Sequence, residues 1–163
     1  MSQGNVTIIG MADLAVCKPP DGVTTLGLGS CVGIAIRDPI AKVGGLVHIM
    51  LPDSTAVKNN ANIPKFADTG IAELAKQVIA QGGLRSRLVA KIAGGAQMFA
   101  FDSKNDTMRV GDRNVAASLA ALKALNIPVL AKDTGDSYGR TVIFWPETGN
   151  FVIRAVGKPE KVI

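Results

Sequence analysis

Histidine is nearly absent from this chain: it occurs once in 163 residues, as His48, and cysteine occurs twice, as Cys17 and Cys31. So few ligands, without clustered spacing, argue against a zinc site, and two cysteines are too few for a secreted disulfide scaffold of this size. Aromatic residues make up only 4% of the chain. That speaks against a protein that stacks on nucleic-acid bases, and leaves Ala, Val, Ile and Leu to build the core. No apolar run is long enough to span a bilayer; the stretch from Val6 to Val16 is short and broken by Asp13. The start, Met1-Ser2-Gln3-Gly4-Asn5, lacks the basic residues of a signal peptide. These absences predict a soluble, cytoplasmic protein with free thiols, no metal and no cofactor.

What is present is a globular composition, 47% apolar and 19% charged, of a length suited to one domain over residues 1–163. The net charge of +5 is spread over scattered residues such as Lys18, Arg37, Lys58, Lys104 and Arg109. Solubility charge is the simpler reading, attraction to an acidic partner the more specific one, and no nucleic-acid motif accompanies it.

Strands are predicted at Val6–Ile9, Val32–Arg37, Val43–Leu51, Leu88–Ala93, Ile127–Ala131, Thr141–Trp145 and Phe151–Val156. Asp68–Gln81 reads as a helix, with Ile71, Leu74, Val78 and Ile79 on one face and Gly82-Gly83 as its stop. A second helix is predicted from a capping Asn114 to Leu125, with Val115, Leu119, Leu122 and Leu125 buried. Asp53 to Lys65 reads as a mobile surface loop. The elements do not alternate strictly, which favours an α+β fold over a doubly wound parallel sheet.

The segment Thr24-Thr25-Leu26-Gly27-Leu28-Gly29-Ser30-Cys31-Val32-Gly33 admits three readings. A dinucleotide-binding turn needs glycine at relative positions one, three and six and then a helix. Here Val32 takes the sixth place and a strand follows, so that reading fails. Gly29-Ser30-Cys31-Val32-Gly33 has the outline of a nucleophile elbow, but an elbow also needs a helix after it; it stands as an alternative. The third reading makes Cys31 a nucleophile at the edge of a β-hairpin. A thiol with an ordinary pKa of about 8.5 needs a base at neutral pH, and His48 is the sole imidazole.

Placing Arg37 opposite Lys42 sets Cys31 directly opposite His48, on one face with Gly33, Ala35, Gly44 and Leu46. Val32, Ile34, Ile36, Val43, Val47 and Ile49 fall on the other, wholly apolar face. The small residues beside Cys31 and His48 predict an open groove. Against this stand two blander readings: a buried structural thiol and a half-buried, satisfied histidine. Cys17 has no such setting and reads as structural. Gly94-Gly95-Ala96 reads as a tight turn at a strand end, with an anion nest as the alternative.

These motifs resemble a known family, the chemoreceptor glutamine deamidases called CheD. The likeness is carried by Thr25-Leu26-Gly27-Leu28-Gly29-Ser30-Cys31-Val32-Gly33, Asp38-Pro39 and Gly44-Gly45-Leu46-Val47-His48-Ile49-Met50-Leu51-Pro52. It continues through Lys65-Phe66-Ala67-Asp68, Lys91-Ile92-Ala93-Gly94-Gly95-Ala96, Gly111-Asp112-Arg113-Asn114, Asp133-Thr134-Gly135 and Gly139-Arg140. The resemblance implies a Cys–His–Thr site at Cys31, His48 and Thr25, with Thr24 an adjacent rival. It implies hydrolysis of glutamine side chains on methyl-accepting chemotaxis receptors, and a second partner, the CheC phosphatase. It also implies layered β-sheets flanked by helices, as in deamidating toxins. One departure is Asp136, where the family usually carries glycine.

Overall fold

The computed structural model describes residues 4–97 and 109–163; Lys104 lies outside them. Two five-stranded mixed sheets share one interior. The first contains β1 (Val6–Ile9), β3 (Gly22–Leu28), β8 (Arg140–Trp145), β9 (Asn150–Arg154) and β10 (Lys161–Val162), in that order. The second runs β2 (Asp13–Cys17), β5 (Val43–Ile49), β4 (Val32–Asp38), β6 (Val89–Gly94) and β7 (Val129–Thr134). Helices α1 (Ala67–Ala80) and α2 (Val110–Ala124) cover the far face of the second sheet. The layers therefore run helices, sheet, sheet, which is the expected α+β class with layered sheets flanked by helices.

Alternation along β4 and β5 explains the layering. Val32, Ile34, Ile36, Val43, Val47 and Ile49 pack under the helices with Ile71, Leu74, Val78 and Leu122. Ala35 and Leu46 point the other way, into a second core with Ile9, Val23, Leu28, Val142, Phe144 and Phe151 of the first sheet. The predicted division of faces holds, but the face carrying Cys31 and His48 is covered by a sheet and is not an open groove. Leu28 and Val142 fill the space over Gly33.

Three further expectations need correction. Arg37 pairs with Gly44 and Gly33 with His48, so the hairpin register is two residues away from the predicted one. The cause is Asp38. It takes a last pair with Val43, and its buried carboxylate accepts the Ile40 and Ala41 N–H groups, which closes the loop Pro39–Lys42 with Lys42 at φ 56°. A shift of two preserves the face, so His48 remains on Cys31's side as a diagonal neighbour. Second, α2 begins four residues before Asn114, which is a buried residue inside the helix and not its cap. Third, the sequence reading missed β2, β3 and β10. Within the polar loop, Asp53 caps a 3-10 turn at Ser54–Ala56, and Ser54 is tied to Asp68 at the start of α1.

Candidate active site

β3 carries Thr25 to the sandwich interior. Its pairing with β8 slips between Thr25 and Leu28, with Gly27 at φ 70°. This bulge throws Leu26 outward, 59% exposed, and lets both Thr25 and Leu28 face inward, which regular alternation forbids. β5 brings His48 to the same interior, and neither Thr25 nor His48 is exposed.

The two side chains meet across the sheets, Thr25 Oγ1 to His48 Nδ1 at 2.7 Å. Thr25 Oγ1 also bonds the Ile9 carbonyl at 2.9 Å. These bonds fix the tautomer by elimination. A carbonyl only accepts, so the single hydroxyl proton points to Ile9, and the proton in the second bond must come from His48 Nδ1–H. Nε2 is then the bare nitrogen. It is buried and has no hydrogen-bond partner among the described residues. Thr24, the adjacent rival, donates instead to the Val142 carbonyl at 2.7 Å.

Cys31 sits immediately before β4, at the end of the ladder nearest His48, and is half-buried. His48 Nε2 makes no hydrogen bond to the Cys31 thiol in this structure. His48 is wholly buried, whereas Cys31 and its neighbours Gly29 and Ser30 are partly exposed. Burial pushes the Cys31 thiol above its ordinary pKa, an effect eased by its own backbone N–H. Burial lowers His48 from 6.5 to about 4. At neutral pH the pair is therefore an uncharged thiol and an uncharged imidazole with a free lone pair, not a resting ion pair.

The loop before Cys31 is held from behind. Gly95 N–H bonds the Cys31 carbonyl at 2.8 Å and Ala96 N–H bonds that of Gly29 at 2.9 Å. Gly94 and Gly95 adopt φ of 114° and 68°, and a Cβ on Gly94 would strike the Cys31 carbonyl. Gly94-Gly95-Ala96 is thus a strand-end turn that braces the loop. Asn114 of α2 joins the brace, its amide donating to the Ser30 and Met50 carbonyls at 2.9 and 3.0 Å. Sequence reasoning missed this role; the signal was an amide in line with Gly111, Ser118 and Leu122 at helical spacing, the buried stripe of α2.

Asp136 keeps the glycine-like backbone at φ 58°, and its carbonyl accepts the Gln97 N–H. Among the described residues, no group of three or more His, Cys, Asp or Glu side chains converges as a metal site would require. No helix among them is long and apolar enough to cross a membrane. A cavity of about 350 Å³ lined by Asp133, Tyr138, Lys158 and Lys161 contains none of the three site residues.

A family model described as CheD chemotactic sensory transduction matches residues 50–155. The probable chemoreceptor glutamine deamidase CheD of Lachnoclostridium phytofermentans is 62% identical over 160 residues, covering 98% of this chain and 99% of that protein. The chemoreceptor glutamine deamidase CheD of Halalkalibacterium halodurans is 51% identical over 160 residues, with the same coverage of 98% and 99%. Among solved structures, the hypothetical protein YfiH of Bacillus licheniformis has a TM-score of 0.43 at 14% identity, covering 69% of this chain and 49% of that one, a likeness too loose to build on.

Proposed function

The chain belongs to the CheD family, and we propose that it hydrolyses side-chain amides of specific glutamines on methyl-accepting chemotaxis receptors, with Cys31 as nucleophile. The observation that carries the chemistry is the chain Ile9 carbonyl, Thr25 hydroxyl, His48 Nδ1–H, which leaves Nε2 bare on Cys31's side of the sandwich. Further support comes from its relatives, which bear the name chemoreceptor glutamine deamidase.

The proposed reaction is acyl transfer to water. Cys31 sulfur attacks the glutamine carbonyl carbon while its proton passes to His48 Nε2. Starting from a neutral pair, the proton moves with the attack. The Cys31 backbone N–H, which favours negative charge on its own sulfur, would hold the oxyanion; such a donor is typically worth about 2.7–4 kcal/mol. The C–N bond then breaks, and ammonia leaves with the proton from Nε2. A water attacks the thioester, gives its proton to Nε2, and the C–S bond breaks to release glutamate and restore the thiol. Thr25 keeps the imidazole in its Nδ1–H form and correct orientation, as a third group does in related triads.

The whole span 1–163 acts as one deamidase domain. It works in the cytoplasm, where receptor helices present their glutamines. A CheC-type phosphatase is the proposed second partner, covering the same entrance, and slower alkylation of Cys31 in its presence is the check. The deciding experiment is mass spectrometry of a receptor cytoplasmic fragment after incubation. Conversion of particular glutamines to glutamate, with no ammonia released from free glutamine, is expected. Binding of the fragment without any conversion supports the second reading, a non-catalytic regulatory module.

A further inference from the structure

We propose that Asn114 is a positioning residue that sets the distance between the Cys31 loop and the His48 strand through one side-chain amide. The inference rests on the reading of Cys31 as nucleophile, but its structural part stands on the amide's own contacts.

The β4–β5 ladder ends at the pair Val32–Ile49. Beyond it the strands part. Met50 turns away to bond the Lys65 carbonyl through its N–H, and Leu51 bridges to Phe66. The parting leaves two carbonyls facing α2, Ser30 just before Cys31 and Met50 two residues after His48. Asn114 Nδ2 donates to both, at 2.9 and 3.0 Å. One group thereby replaces the missing rung between the strands that carry nucleophile and base.

The amide cannot be turned around. A flip would set Oδ1 against two carbonyl oxygens, three acceptors with no proton among them. In the orientation that works, Oδ1 is buried and has no partner among the described residues. Asn is also a poor helix former, and Asn114 is fully buried in α2. A residue kept only to fill this space would be apolar, with neither penalty. The tight seat of α2 fits the same purpose: a Cβ on Gly111 would lie 2.5 Å from the Gly95 and Ala96 carbonyls, so the helix start rests directly on the turn that braces Cys31.

The test uses the full chain in a Cys17→Ala background. Asn114→Leu keeps the volume and removes both donors; Asn114→Ala carries the test should Asn114→Leu not fold. Ser118→Ala, one turn along α2, removes a hydroxyl that bonds only the Asn114 carbonyl. Three quantities are measured: kcat and KM on a receptor fragment, the pH profile of Cys31 alkylation by iodoacetamide, and Tm. The Asn114 variants are expected to lose about 10²-fold in kcat with little change in KM, as a small misplacement of reacting groups does, and to shift the alkylation profile. Ser118→Ala is expected to lower Tm and move neither. Parent-like kcat and alkylation profile in the Asn114 variants, or equal shifts in Ser118→Ala, overturn the proposal. The alkylation profile reads the clamp even if Cys31→Ala retains activity, so failure of the nucleophile assignment and failure of the clamp are distinguishable.

Discussion

Cys17 and Cys31 lie at opposite ends of the same sandwich interior. Both pack against the core between the sheets. Cys17 pairs with Gly44 at one end of β5, and Cys31 lies beyond the Ile49 pair at the other. Burial raises both thiols, Cys17 to about 11 with help from Asp21. Burial is therefore not what separates them. Cys17 has Asp21 as its electrostatic neighbour, which opposes a thiolate. Cys31 has its own backbone N–H, which favours one, and an oriented imidazole at its own end of β5. On the proposed mechanism a thiol's neighbours, and not its depth, make it reactive, since burial opposes the thiolate in both.

The largest effect should separate the two cysteines outright. Cys31→Ala is expected to abolish conversion of receptor glutamine, and Cys17→Ala to retain it, in the mass-spectrometric assay. Next comes the base. His48→Gln should lower turnover by roughly 10²–10⁴-fold, with an unchanged circular dichroism spectrum. Unaltered turnover in that variant would remove the imidazole from the chemistry and make the two cysteines equivalent again.

The Thr25 relay sharpens the contrast further. Thr25→Val keeps the shape but leaves the Ile9 carbonyl and His48 Nδ1–H without their hydroxyl. Losing such a buried hydrogen bond should cost turnover roughly 10- to 100-fold. Thr24→Val, which severs only the bond to Val142, should leave turnover at the parent level.

Much of this arrangement was legible in the chain, for reasons that differ from residue to residue. The division of β4 and β5 into an apolar face and a Cys–His face followed from strict alternation. The register did not, because it turns on Asp38 claiming an extra pair and two loop N–H groups. β3 was hidden by its own bulge: Leu26 and Gly27 break the alternation and read as a glycine-rich loop. β10 is only two residues long and is held by distant β9. Thr25 came from family resemblance alone, since its contact with His48 exists only once two sheets close on each other. Asn is a common cap, so the sequence pattern casts Asn114 as one, whereas α2 starts four residues earlier with Gly111 allowing close approach to Gly95 and Ala96.

The smallest expected effect is on stability. The fold holds His48 neutral, with a pKa near 4 against 6.5 when unfolded. The unfolded chain therefore binds the proton first as pH falls. Stability from this group is complete above pH 6.5 and is lost on descending towards pH 4, by about 3 kcal/mol at most. With a single histidine in the chain, His48→Gln should flatten the dependence of urea unfolding on pH in that window. An equally steep dependence in the variant would mean that other groups titrate there.

The most direct test of the central claim is to trap the acyl-enzyme. Full-length protein is mixed with receptor fragment, quenched in acid within the first turnover, and mapped by mass spectrometry. The expected result is the fragment joined to the peptide containing Cys31, with ammonia lost, and no adduct on Cys17. Glutamate appearing in the fragment during turnover by a Cys31→Ala variant, with no adduct on Cys31 in the parent, would contradict it.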